Sequence, residues 1–305
     1  MYTFIVNPNA RTGLGRKVWN ALEADLKKRN IDYQGFLTRY RSHATAITRK
    51  LLSENSRRTL IILGGDGTVN EVINGISDFE AVTLAYIPIG SSNDFARGMN
   101  LSSDPHTALA HILSPSRFTY LSVGTSEYGT HSRSFAVSSG FGFDAEVCCR
   151  IGRSRLKSFL NRLSLGKFSY VGIAVSSLLL QTPKRMTLTM DSEKSMTFEK
   201  VYFAAAMNQK YEGGGFMFCP KANPADDFLD IIVAEGLPKL KILCLLPTAF
   251  FGKHTKVSGI HIYRCKSVVM DSEIPLPFHT DGEPISRTHR IRISQNPKKI
   301  RFIMS

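Results

Sequence analysis

The chain has 305 residues, with 39 Lys and Arg against 25 Asp and Glu, a formal net charge of +14 and an isoelectric point near 9.7. A composition of 43% hydrophobic and 21% charged residues excludes a disordered or low-complexity chain, and the length suits two domains. So positive a balance attracts polyanions (nucleic acid, anionic lipid or nucleotide phosphate) without choosing among them. The N-terminal stretch MYTFIVNPNA has no basic segment ahead of an apolar core. It reads as a first strand over residues 2–6 rather than a signal peptide.

A turn, NPNARTGLG, follows, and Val18, Leu22 and Leu26 then fall on one helical face. DYQGFLT reads as a second strand, and SHATAITRKLLSEN as a second helix with Ser42 as its candidate N-cap. TLIIL is a third strand, and Val69, Val72, Ile73 and Ile76 give the i, i+3, i+4, i+7 stripe of the next helix. TLAYIPIG is a fourth strand. Such strand–helix alternation is the signature of a parallel α/β sheet.

Near residue 118 the pattern changes to a succession of short strands, with helical patterning only over 150–181 and 238–253. An antiparallel second domain follows from this. Ile291, Ile293, Ile300, Phe302 and Met304 flank Asn296-Pro297 and suggest a terminal hairpin, which either domain could hold. The apolar stretches ILCLLPTAFFG and VGIAVSSLLLQ are too short to span a bilayer. Five cysteines (Cys148, Cys149, Cys219, Cys244 and Cys265) form no Cys-x-x-Cys pair and point to reduced thiols in a cytoplasmic protein. No helix-turn-helix, zinc-finger or RNA-binding signature supports a nucleic-acid partner.

The strand TLIIL ends abruptly at Gly64-Gly65-Asp66-Gly67-Thr68. Ligands of parallel α/β sheets sit beyond the carboxyl ends of the strands. Glycines there allow close backbone approach, and the next helix N-terminus suits phosphate. A carboxylate beside phosphate repels it unless a cation intervenes, so Asp66 implies Mg²⁺. The loops NPNARTG and PIGSSNDFAR leave two other strands at the same edge and could also cradle phosphates.

NPNARTG, GGDGTVNEVINGI and PIGSSNDFAR, in this order and spacing, resemble the diacylglycerol-kinase catalytic-domain family. PKANPADDFLDIIV and HTDGEP resemble two later segments of that family, so the likeness runs over nearly the whole chain. The Gly-Gly-Asp-Gly-Thr core is shared with NAD kinases. The resemblance implies a Rossmann-like α/β nucleotide domain over 1–117, with about 290–305 returning to it, and a C-terminal antiparallel β-sandwich lipid-substrate domain over 118–289. It implies ATP and Mg²⁺ as cofactors and γ-phosphate transfer to a membrane lipid hydroxyl, with diacylglycerol as the first candidate.

By the same resemblance Asn7, Pro8, Thr38, Gly64, Gly65, Asp66, Gly67, Thr68, Val69, Asn70, Ser91 and Asn93 line the ATP site, and Asp66 meets the catalytic ion. Asp281 and Glu283 rank equally as the base that takes the acceptor's proton. A second, structural Mg²⁺ is implied at Asn223, Asp226 and Phe228, although Asp227 stands where the family usually has glycine.

Residues 150–167, RIGRSRLKSFLNRLSLGK, carry six basic residues and no acid, with Leu156, Phe159, Leu160 and Leu163 at helical spacing. A helix of this kind can lie on an anionic bilayer, each basic residue adding roughly 1 kcal/mol near the surface. The expectation is therefore a cytoplasmic, peripherally membrane-associated lipid kinase, with a homodimer compatible. The alternatives are an NAD-kinase-like phosphotransferase and a non-catalytic binder of anionic membranes.

Overall fold

The computed structural model describes residues 1–53, 57–153, 175–178 and 180–304. They form two units, Met1–Val123 with Asn296–Ser305, and Gly124–Gln295.

The first unit contains β1 (Tyr2–Val6), α1 (Ala10–Lys28), β2 (Tyr33–Leu37), α2 (His43–Leu52), β3 (Arg58–Gly64), α3 (Asp66–Ile73), β4 (Val82–Pro88), α4 (Asp94–Gly98), α5 (Pro105–Leu113) and β5 (Arg117–Leu121), joined by β15 (Ile300–Met304). The strand order is β2-β1-β3-β4-β15-β5. All neighbours run parallel except β5, which lies antiparallel to β15. Strand alternation divides the apolar residues between two faces. Phe4, Val6, Ile61, Leu63, Ala85 and Ile87 pack with Trp19, Leu22 and Leu26 of α1 and with Leu109 and Ile112 of α5. Gly35 of β2 makes room for the Trp19 ring, since a Cβ there would stand 2.6 Å from it. On the other face Tyr86 and Phe302 pack edge-on against Phe95 of α4.

Three local expectations are corrected here. The hydroxyl of Ser42 does not cap α2, because Ser42 adopts a left-handed φ of 66°. The Glu71 carboxylate, reaching over from α3, accepts the Ser42 and Ala44 N–H groups instead, at 2.7 and 3.1 Å. The closing segment is not a hairpin: its two halves lie in different sheets, β15 between β4 and β5, and the strand before Asn296 in the second unit. The boundary also falls at Val123/Gly124 rather than 117/118, because β5 finds its partner in β15.

The second unit contains β6 (Gly124–Tyr128), β7 (His131–Phe135), β8 (Ser138–Gly142), α6 (Phe143–Arg153), β9 (Lys184–Met190), β10 (Lys194–Met207), β11 (Leu229–Glu235), α7 (Lys239–Ala249), β12 (Ile260–Cys265), β13 (Ser267–Thr280) and β14 (Glu283–Gln295). The main path is β12-β11-β10-β8-β13-β14-β6-β7. β9 and β8 fill the slot between the long strands β10 and β13 end to end, each pairing with a different half of both. Its main apolar cluster includes Phe135, Phe141, Leu188, Ile231, Val268, Phe278 and Ile293, and a smaller one gathers Met207, Cys219 and Ile232. Most of the basic segment 150–167 lies outside the described residues. Its first member, Arg150, is in α6 and pairs with Glu146 at 3.2 Å. Among the described residues no helix is long and apolar enough to cross a membrane, and none of the five cysteines forms a disulfide.

Candidate active site

Parallel register sets the first unit's loops side by side. Val6 pairs with both Leu37 and Leu63, and Gly64 pairs with Pro88. The segments that begin at Asn7, Thr38, Gly65 and Ile89 therefore leave the sheet at one edge. The first loop turns through Arg11, Thr12 and Gly13, all at positive φ, before α1 becomes regular. Gly15 then passes against the Asn7 carbonyl, a space that a Cβ would fill. The Asn7 side chain donates to the Thr68 hydroxyl at 3.3 Å, tying the first loop to the second.

The second and third loops are tied more closely. A Cβ on Gly90 would stand 2.7 Å from the Gly65 Cα, so position 90 requires glycine for two backbones to pass, while a Cβ on Gly65 would be tight at 3.2 Å from the Gly90 Cα. Asn93, itself left-handed at φ 52°, accepts the Gly90 N–H at 2.8 Å and donates back to the Gly90 carbonyl at 3.1 Å. The Asp66 carboxylate accepts the backbone N–H groups of Asp94 and Phe95, both at 3.1 Å. It is thus held at the start of α4 by two main-chain donors. Burial, reinforced by Asp66 and Asp94, pushes the Tyr86 phenol well above its usual pKa. That phenol donates to the Gly64 carbonyl at 3.2 Å.

Of the sequence-predicted residues, Asn7, Pro8, Thr38, Gly64, Gly65, Asp66, Gly67, Thr68, Ser91 and Asn93 all belong to this edge. Val69 and Asn70 turn inward, at 2% and 0% exposure, and the Val69 N–H is engaged with the Gly65 carbonyl. Asp94 was not singled out from sequence, yet it is buried at 5% exposure and pairs with Arg97 at 3.5 Å. Its signal was present as the single acid of SSNDFAR. The Asp66 and Asp94 carboxylates, both close enough to act on the Tyr86 phenol, offer only oxygen donors, the kind a hard divalent cation takes.

In the second unit the two candidate bases differ. Asp281 sits at φ 50°. Its carboxylate accepts three backbone N–H groups, from Ala136, Val137 and Ser138, at 2.9, 2.7 and 3.1 Å. It thereby holds the β7–β8 connection. Glu283 opens β14 across the turn, opposite Thr280. Gly282, at φ 76°, donates its N–H to Nδ1 of the fully buried His279 at 3.1 Å.

The other ring nitrogen, Nε2, faces Asp144 at 3.2 Å and Glu212 at 3.1 Å. Because Nδ1 accepts a hydrogen bond, Nε2 carries the ring's proton and donates towards the two carboxylates. Burial raises the Asp144 pKa, and Glu212 adds to the rise while His279 opposes it. The three groups bring potential ligand atoms within 4.8 Å of one another. A metal on Nε2 would need the ring proton removed, and a metal-bound histidine ordinarily donates from its other nitrogen. The arrangement is therefore that of a hydrogen-bonded triad beneath the Asp281–Glu283 turn. Nothing in the local sequence marked it, since its members lie on three separate segments.

The fold and the loops define a nucleotide-binding domain followed by a β-sandwich, and comparison with known proteins agrees. The diacylglycerol kinase catalytic domain matches residues 1–122, and the YegS C-terminal NAD kinase β-sandwich-like domain matches residues 137–304. The putative lipid kinase YtlR of Bacillus subtilis (strain 168) is 32% identical over 304 residues, covering 98% of each chain. A diacylglycerol kinase of Mycobacterium tuberculosis (strain H37Rv) is 25% identical over 283 residues, covering 92% of this chain and 88% of its own.

Among solved structures, a putative diacylglycerol kinase from Bacillus anthracis str. Sterne superposes with a TM-score of 0.76 at 23% identity, covering 100% of this chain and 97% of that one. An NAD kinase from Archaeoglobus fulgidus in complex with ATP shares the fold at a TM-score of 0.55 and 10% identity, over 99% and 93% of the two chains. The chain belongs to the diacylglycerol kinase catalytic-domain family.

Proposed function

We propose that the protein is an ATP-dependent lipid kinase that transfers the γ-phosphate of ATP to the free hydroxyl of diacylglycerol, giving phosphatidic acid. The observation that carries this reading is the brace from Asp66 to the Asp94 and Phe95 N–H groups. It fixes an acid where two glycine-bearing strand-end loops cross. Phosphoryl transfer depends chiefly on alignment and charge neutralisation, and such a brace serves both. Asp66 and Asp94 would hold Mg²⁺, which when bound neutralises charge on the phosphate oxygens.

For the base we favour Glu283 over Asp281, because Asp281 already serves three main-chain donors. Glu283 would accept the acceptor hydroxyl's proton as the new O–P bond forms and ADP leaves. A lipid acceptor is supported by the relatives named as lipid and diacylglycerol kinases. It is supported too by a narrow apolar cavity in the second unit lined by Phe143, Tyr202, Phe218, Ile232, Leu245 and Ala249. The net charge of +14 supports attraction to an anionic bilayer at its cytoplasmic face.

The test is transfer of label from [γ-³²P]ATP, with Mg²⁺, to a panel of lipid alcohols in mixed micelles, with NAD alongside. Labelled phosphatidic acid is the expected product. Label in another lipid would change the acceptor and leave the mechanism. Label in NADP alone would overturn the lipid reading. No label from folded protein that still binds anionic vesicles would replace it with a non-catalytic membrane module.

A further inference from the structure

The implied structural Mg²⁺ at Asn223, Asp226 and Phe228 can be tested against the oxygens that would bind it. Asp226 Oδ2 receives an Arg264 N–H at 2.7 Å, and Oδ1 receives the Phe228 N–H at 3.0 Å. The Phe228 carbonyl receives the Gln295 side-chain amide at 3.0 Å, and the same amide also donates to Asn208 at 2.8 Å. The Asn223 carbonyl receives the Asp226 N–H at 3.2 Å, and the Asn223 side-chain oxygen receives the Ala225 N–H at 3.1 Å. Each oxygen that would ligate the ion faces a protein donor, and the donor on Asp226 Oδ2 is a short guanidinium contact rather than the neutral main-chain N–H groups that meet Asp66.

The guanidinium is fixed from two further sides. Arg264 stands opposite Asp230 in the β11–β12 ladder, and its guanidinium lies 4.6 Å over the Phe228 ring. Lys266 adds a second cation 5.7 Å from the same ring. A divalent ion entering here would have to displace a short charge-assisted pair and sit beside two positive side chains. The backbone agrees. A turn wrapped around an ion calls for glycine at position 227, but Asp227 is not among the residues with positive φ, so aspartate is accommodated without strain.

We infer that Arg264, assisted by the Gln295 amide, stands in for the structural cation, so that the second unit closes the 223–228 turn with no divalent metal. The segment expected to bind an ion is thus held by an internal cation whose place is set by strand register. Arginine suits this role because its planar fork can serve a carboxylate and stack on a ring at once.

The experiment is thermal unfolding of the full chain without nucleotide, in EDTA and in millimolar Mg²⁺, for wild type, Asp66→Asn, Arg264→Met and Asp226→Asn. The wild-type midpoint is expected to be the same in both media. Arg264→Met should melt a few degrees lower in EDTA and recover part of that loss in Mg²⁺, because its vacated oxygens become ligands. Asp226→Asn should melt lower with no recovery. A midpoint that falls in EDTA in wild type and equally in Asp66→Asn would overturn the inference, and so would an Arg264→Met protein indifferent to Mg²⁺, which would reduce Arg264 to an ordinary ion pair. Should Arg264→Met fail to fold, a Mn²⁺ titration followed by electron paramagnetic resonance decides the matter on wild type. A tight Mn²⁺ site lost in Asp226→Asn but kept in Asp66→Asn would overturn the inference. Absence of any Asp226-dependent site would uphold it.

Discussion

Phe95 donates its backbone N–H to Oδ1 of Asp66 at 3.1 Å, binding the acid of one glycine-rich loop to the first turn of the helix that follows another. Asparagine at position 66 keeps an oxygen for one of the two N–H donors but loses the charge. Asp66→Asn should therefore leave the melting temperature within a few degrees of wild type and lower kcat by roughly a thousandfold or more, in line with losing a preorganised electrostatic group. Steady-state phosphate transfer and a thermal melt check both halves. Retained turnover would remove Asp66 from the chemistry.

Asp281 and Glu283, two residues apart, should separate cleanly. Asp281→Asn weakens hydrogen bonds from three main-chain donors, and each such bond to a charged group is worth about 1.5–3 kcal/mol. Its main effect should be a lower melting temperature. Glu283→Gln should melt like wild type and lose kcat with little change in the KM for ATP. If the Glu283 variant were fully active and the Asp281 variant inactive but stable, the assignment of the base would reverse.

Gly90→Ala tests the crossing of the two loops. The new methyl would meet the Gly65 Cα at 2.7 Å and the Asn93 side-chain oxygen at 2.6 Å. Overpacking of this kind costs about 1–3 kcal/mol, and the displaced loops should raise the KM for ATP. Gly129→Ala meets nothing within 4 Å, but its φ of +55° makes it a test of backbone strain alone. It should cost some stability without altering the KM.

His254 gives the second unit an acid-sensitive element. Burial lowers its pKa below the usual imidazole value, against the opposing pull of the Phe218 carbonyl. The ring lines the apolar cavity and faces that carbonyl at 3.2 Å. The unfolded chain therefore binds a proton at this position more readily than the folded one. Stability from this group is complete above the unfolded value of about 6.5 and is lost as pH falls from there through the folded value. His254→Gln should flatten that part of the stability–pH curve, as measured by urea unfolding at a series of pH values.

The three glycine-bearing loops at one sheet edge were legible in sequence because each is a local signal, a strand end broken by small residues, and parallel topology brings strand ends to one edge. What was not legible depends on partners far apart in the chain. Glu71 capping the helix at Ser42, Asp281 holding Ala136 to Ser138, and Arg264 reaching Asp226 all depend on tertiary register. The resemblance ranked Asp281 and Glu283 almost equally, and the hydrogen bonds tell them apart. The hairpin expected around Asn296-Pro297 failed for the same reason. Two apolar runs flanking a turn look alike whether they pair with each other or with strands in different sheets.

The position of β15 bears on how the chain acquires its structure as it is made. β4 has its outer edge covered, and β5 its pairing partner, only when residues 300–304 arrive. The whole of residues 124–295 must emerge from the ribosome before then. Until that point the nucleotide-binding sheet carries an open hydrogen-bonding edge of the kind that recruits stray strands. The first unit is begun before the second and completed after it, so its edge stays exposed throughout the synthesis of residues 124–295.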